Sequence, residues 1–162
     1  MRRIAFVKSL AVLAFAAACG GGSDSTGPTQ TTNLVTNGSF SAVVNGAAWS
    51  AVGRVAVNQS SGLLVIAAAS GTYVFSFGIG PFSGPGTFSL VYAPLANPPT
   101  ASQAIVSLGS QSWATSAQGG TGSITITTFS AGRVAGTFSF DAPSAGSGGS
   151  LHVTNGSFDV TF

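Results

Sequence analysis

The stretch that decides the fold is S-L-H-V-T-N-G-S-F-D-V-T-F, Ser150 to Phe162. Leu151 and Val153 alternate with a polar residue between them, and so do Phe158, Val160 and Phe162. A period of two is the mark of a strand buried on one face. The apolar positions are odd before Asn155-Gly156 and even after it. A regular strand cannot change parity, because a slip of one residue sends every side chain to the opposite face. The spacing therefore predicts a bulge or a turn at Asn155-Gly156. Just upstream, in G-R-V-A-G-T-F-S-F-D-A from Gly132, Val134, Phe138 and Phe140 alternate with Ala135, Thr137, Ser139 and Asp141. The two segments read as a closing antiparallel pair joined by a Pro/Ser/Gly loop.

Working back towards the N-terminus, the same period recurs. Phe40, Ala42 and Val44 lead into Asn45-Gly46, a strong two-residue hairpin signal, with Ala47 to Ala51 as the returning strand. Gly53 is expected to bend the chain before Val55 and Val57. Leu63 to Ala69 is apolar at almost every position, which predicts a central strand covered on both faces. Tyr73, Phe75, Phe77 and Ile79 alternate, then Gly80 to Gly86 makes a loop before Phe88, Leu90 and Tyr92. Pro94 to Thr100 is a long polar loop. Val106 and Leu108, the Trp113 segment, and Ile124 with Ile126 complete the series. No stretch carries an apolar stripe of helical period with caps. The expectation is an all-β domain, an antiparallel meander of about nine or ten strands folded into a sandwich or a flattened barrel. Its core should hold most of the Phe residues with Trp49 and Trp113.

The sequence has 162 residues, 5% charged, with a mean hydropathy of +0.47 and a pI near 9.2. The basic pI comes from the N-terminus. Beyond Arg2, Arg3 and Lys8, two cations (Arg54, Arg133) face three anions (Asp24, Asp141, Asp159), a formal side-chain charge of −1. No basic stripe is left to neutralise phosphates, so nucleic acid is excluded as a partner.

The first eighteen residues read as a leader: a short positive start, then an apolar run from Ile4 to Ala18 interrupted by Lys8 and Ser9. That run is shorter than the roughly 20 residues a membrane span needs. It ends in A-A-A-C-G at Ala16 to Gly20, with Cys19 the single cysteine of the chain. This resembles the lipobox of bacterial lipoproteins, with Ala16 where Leu is usual. The resemblance implies diacylation of the Cys19 thiol, cleavage before it and acylation of the new amino terminus. Several acyl chains, each contributing about 0.8 kcal/mol per buried CH₂, give stable attachment. Gly20 after the cysteine implies sorting to the outer membrane of a double-membrane bacterium. The organisation expected is a signal peptide at 1–18, the lipidated Cys19 with a Gly/Ser/Asp/Thr/Pro tether at 19–32, and one β domain at 33–162. The membrane is then the partner implied by the anchor.

Four segments carry a further resemblance: V-N-G-A-A-W-S-A at Val44 to Ala51, G-T-G-S-I-T-I-T at Gly120 to Thr127, R-V-A-G-T-F-S-F at Arg133 to Phe140 and V-T-N-G-S-F-D-V at Val153 to Val160. Together they resemble a family of secreted bacterial lipoproteins known only as a domain of unknown function. Members often carry a polar or charged residue at the position of Ala47. The resemblance implies a lipid-tethered β domain and brings no catalytic residues with it. Within the chain, V-T-N-G-S-F occurs twice, at Val35 to Phe40 and Val153 to Phe158, which suggests that the first and last strands are neighbours with similar bends.

Chemistry-bearing residues are scarce. His152 is the single histidine, and it lies between two inward-facing positions, so it should face solvent near Asp141 and Asp159. Serines abound, but no G-x-S-x-G elbow occurs. Three aspartates, one histidine and one cysteine give no spaced metal-ligand set. Glu is absent, which leaves glycosidase chemistry at most the pair Asp141 and Asp159. Beyond the leader there is no Lys for a Schiff base or a phosphate loop. Arg133 is expected to pair with a carboxylate or cap a strand end. No catalytic residue, metal site or cofactor is assigned, and hydrolase chemistry is the weakest reading. The expectation is a non-enzymatic structural or interaction domain in the cell envelope, with an unidentified envelope protein as a candidate partner. The alternatives are a calycin-like module holding a small apolar ligand and an integral outer-membrane barrel, suggested by the terminal Phe158, Val160 and Phe162.

Overall fold

Among the described residues the computed structural model holds twelve strands and no helix: β1 (Asn33–Val35), β2 (Asn37–Val44), β3 (Ala47–Val52), β4 (Val55–Ser60), β5 (Leu63–Ser70), β6 (Tyr73–Ile79), β7 (Gly86–Ser89), β8 (Gln103–Leu108), β9 (Gln111–Ala114), β10 (Thr121–Ser130), β11 (Arg133–Ala142) and β12 (Leu151–Thr161). The structure describes residues 33–35, 37–52, 55–60, 62–71, 73–91, 102–144, 146 and 148–162, with side chains placed for 38–51 and for those from 62 onward. The leader, Cys19, the tether, Gly53, Arg54, Tyr92 and the loop at 94–100 therefore lie outside the described residues.

The strands form two six-stranded sheets, sheet I in the order β1-β4-β5-β6-β8-β9 and sheet II in the order β3-β2-β12-β11-β10-β7, with every pairing antiparallel. The sheets do not close on each other, so the flattened barrel, the calycin-like barrel and the membrane barrel all give way to a sandwich. The expected count of strands grows by short pieces such as β1, β7 and β9, of three or four residues. Meander runs exist within each sheet, β4-β5-β6 and β10-β11-β12. Between them the chain changes sheets, and β7 joins sheet II although β6 and β8 are neighbours in sheet I.

The parity change in the last strand is a bulge. Phe138 pairs with Gly156 and Phe140 with Val153, so Thr154 and Asn155 together face the single residue Ser139. On the other side, Asn155 and Gly156 face Ala42 alone. Asn155 takes φ +50, the left-handed conformation that Asn tolerates better than most residues. The buried positions accordingly run Leu151, Val153, Gly156, Phe158, Val160. The hairpin at Asn45-Gly46 also forms as expected: Val44 pairs with Ala47, and both turn residues have positive φ, +48 and +84, as a type I′ turn requires.

Asn37 to Phe40 of the first V-T-N-G-S-F copy lie on the strand beside the second copy, with Phe158 opposite Phe40 in the β12–β2 pair, while its Val35 belongs to β1 of sheet I. Only the second copy carries a bulge at its Asn-Gly. The first runs straight through Asn37-Gly38, in register with Thr161 and Val160.

Aromatic rings from both sheets fill the space between them. Phe138 of sheet II has its ring centroid 4.9 Å from those of Phe40 and Phe77, and Trp49 lies 4.5 Å from Phe75 of sheet I. Glycines make this packing fit. Along the β11–β12 ladder Gly136 stands opposite Phe158 and Gly156 opposite Phe138. A Cβ at Gly156 would come within 2.3 Å of the Phe138 ring, and one at Gly136 within 2.7 Å of Phe158 and 2.1 Å of the Thr125 carbonyl oxygen. Each ring lies across a strand position that has no side chain, the arrangement in which an aromatic shields a glycine. Phe162 departs from expectation: it is 36% exposed, because β12 ends at Thr161 and the last residue lies past the end of the sheet.

Leu63 to Ala69 is a central strand, but only one of its faces is covered. Leu64, Ile66 and Ala68 are buried, whereas Leu63 is exposed and Val65, Ala67 and Ala69 are half-buried. A two-layer sandwich leaves the outer face of each sheet without a covering layer, which the apolar run alone could not reveal.

Candidate functional site

Among the described residues the Asp, Arg and His side chains gather on one face. Arg133 and Asp141 stand at the two ends of β11, Asp159 and His152 on β12, and all four project from the outer face of sheet II. Their inward neighbours on these strands are Val134, Phe140, Val153, Phe158 and Val160, so the burial of the apolar parity places them outside.

They form two separate pairs. Arg133 grips Asp159 with both prongs of its guanidinium, Nε to Oδ1 at 2.9 Å and Nη2 to Oδ2 at 2.7 Å. The hydrogen bond from Arg133 holds the Asp159 carboxyl below its ordinary range, and the same bond, reinforced by charge, raises Arg133. At the other end His152 Nδ1 donates to Asp141 Oδ1 across a directly paired position. Side-chain exposures of 62% for His152 and 48% for Asp141 leave this pair in water. Both were expected to lie near His152, but Asp159 is turned to Arg133 instead.

The backbone of His152 is fixed by a residue that sequence reasoning assigned only to a turn. Asn45 N–H donates to the His152 carbonyl and His152 N–H donates to Asn45 Oδ1, both at 2.8 Å. The type I′ turn that ends β2 thus clamps the start of β12. The contact spans more than a hundred residues of chain and follows from the β2–β12 pairing, so local pattern carried no sign of it.

Between the two ion pairs the face is lined with hydroxyls. A shallow depression of about 410 Å³ is bordered by Ser123, Thr125, Thr137, Ser139, Asn155 and Ser157 over the backbone of the bulge. A second, of about 330 Å³, lies on the other side of Asn155 against Ser41, Ala48 and Ser50. Several hydroxyls satisfy one another, Ser41 with Ser157 at 3.0 Å and Thr87 with Thr125 at 2.9 Å. Among the described residues no serine hydroxyl is bonded to the His152 ring, and no three His, Cys, Asp or Glu side chains converge as a metal site would require. The arrangement offers neutral donors and acceptors on an open surface, without a nucleophile aligned to a base.

The model of a family described as a domain of unknown function (DUF6252) matches residues 36–160. The chain belongs to this family. That match runs from just before β2 to Val160 in β12, and so takes in the bulge, both ion pairs and the hydroxyl-lined face. No curated protein and no solved structure matches the chain.

Proposed function

We propose that this chain is a lipid-anchored protein of the cell envelope, sorted to the outer membrane, and that its β domain is a non-enzymatic interaction module working through the outer face of sheet II. The observation that carries the reading is the state of the ionisable groups. The four on that face are engaged with one another in two exposed pairs, and the surface between them presents uncharged hydroxyls and one amide. Catalysis draws on a group with an unmet or perturbed proton affinity in a site shielded from water. Exposed, mutually satisfied pairs suit solubility and recognition instead. The interior, filled by ring contacts between the sheets, favours interaction at the surface over storage of an apolar ligand.

The anchor is tested by Cys19→Ser with metabolic acyl labelling and membrane fractionation. Loss of label and release of the domain are expected; a variant that stays labelled and membrane-bound overturns the anchor. For the domain, Ser139→Lys with Ser157→Lys in the middle of that face should abolish the crosslinks that the folded wild-type protein forms to envelope components; unchanged crosslinks in the folded variant overturn the interaction reading.

A further inference from the structure

The two outer faces of the sandwich differ in kind. Among the described residues every Asp, Arg and His stands on sheet II. The outer face of sheet I carries instead an apolar strip, Leu63, Val65, Ala67 and Ala69 along β5, with Val74 beside Ala69 on β6 and Ile105 one strand further on β8. Leu63 and Val74 are 43% and 49% exposed, the largest exposures among the large hydrophobic side chains described. Gly78 and Ser76 of β6 stand opposite Val65 and Ala67, Gln103 of β8 stands opposite Gly78, and no charged side chain of the described residues lies on this face. An exposed apolar patch on an otherwise well-packed domain marks a contact surface.

The path of the chain says which surface meets it. The polypeptide enters the domain at Asn33 in β1, the edge strand of sheet I. Thirteen residues separate it from Cys19, a length of chain that can span at most about 50 Å. An anchor at Cys19 would thus keep sheet I within reach of the bilayer, with no carboxylate on that face to be repelled by anionic headgroups. We propose that the outer face of sheet I is a membrane-contact face, in which Leu63 and Val74 enter the headgroup boundary while sheet II and its hydroxyl-lined surface point away. This rests on the anchor reading for the source of proximity, and burial of apolar side chains then supplies the orientation.

The test is photo-crosslinking of the full-length protein in its native envelope membranes with a diazirine-bearing phospholipid, followed by peptide mapping. Adducts are expected on the peptides of β5 and β6, with those of β11 and β12 unlabelled. Val74→Glu with Leu63→Glu should abolish the β5 and β6 adducts. Both side chains are already exposed, so the fold, followed by tryptophan fluorescence, should survive. Adducts confined to residues before Thr31, or lying on β11 and β12, overturn the proposal. The mass of the Cys19 peptide reads the anchor separately. Without an acyl mass but with β5 and β6 adducts, the anchor fails and the contact face stands; with acylation but no such adducts, the contact face fails and the anchor stands. Recovery of β5 and β6 peptides joined to a second copy of the chain, in place of lipid, also overturns it.

Discussion

Gly156→Ala tests the packing on which the closing strands depend. The new methyl would lie 2.3, 2.4 and 2.5 Å from Cε2, Cδ2 and Cζ of Phe138, where carbon atoms prefer about 3.5–4.0 Å. The Phe138 ring must therefore move by about 1 Å or more. It has little room to do so, with Phe40 and Phe77 at 4.9 Å, Phe140 at 6.1 Å and Phe158 at 6.4 Å between centroids. Overpacking of a filled core costs about 1–3 kcal/mol, and a clash with a boxed-in ring belongs near the upper end of that range. For a domain of this size the melting temperature should fall by roughly 4 °C per kcal/mol, hence by about 8–12 °C. Urea denaturation followed by tryptophan fluorescence gives the free energy, since Trp49 lies against Phe75 in the same cluster. The mechanism is isolated by repeating Gly156→Ala in a Phe138→Leu background. With the ring gone from above the glycine, the methyl should cost less than about 1 kcal/mol, and the difference is the coupling. A wild-type-like stability for Gly156→Ala, or an equal loss in both backgrounds, would refute the argument that glycine makes room for this ring.

At the neighbouring Asn155, whose φ is +50, Gly should be neutral or slightly stabilising, whereas Val should cost about 1–2 kcal/mol in the same denaturation assay. Thr115 is fully buried, and its hydroxyl accepts the Ala104 N–H at 3.0 Å. Thr115→Val keeps the shape and leaves that donor unpaired, so a loss of about 1–3 kcal/mol is expected. Asp159 has its carboxyl lowered by Arg133; a lowered carboxyl contributes stability above its unfolded pKa that is lost as pH falls through the folded value. Arg133→Ala should move the Asp159 carboxyl resonance, followed by NMR titration, up to the ordinary carboxylate range and remove its part of the acid dependence of stability.

Much of the architecture could be read from residues alone where the information is local. The odd-to-even change across Asn155-Gly156 locates a bulge because side-chain direction along a strand is a local property, and the structure puts the extra residue there. Asn45-Gly46 specified its turn through backbone preference. The outward placement of His152, Asp141 and Asp159 followed from parity, and so did the inward placement of Phe138, Phe140 and Phe158. Which outward residues meet was less legible. His152 is nearer in sequence to Asp159 than to Asp141, yet the register of β11 against β12 sends Asp141 to the histidine and Asp159 to Arg133.

The sequence by itself determined that the domain is all-β, where most strands and turns fall, and which face of the closing strands is buried, since these depend on a period of two and on residues suited to positive φ. Tertiary structure alone decided that the strands form two open sheets, that β7 crosses to sheet II, that Asn45 clamps His152, and that β5 shows its second apolar face to the outside. Those outcomes depend on pairing between segments far apart in the chain. Alternation tells a strand which side is inward; it carries no information on which strand will lie beside it, or on whether a second layer will cover its outer side.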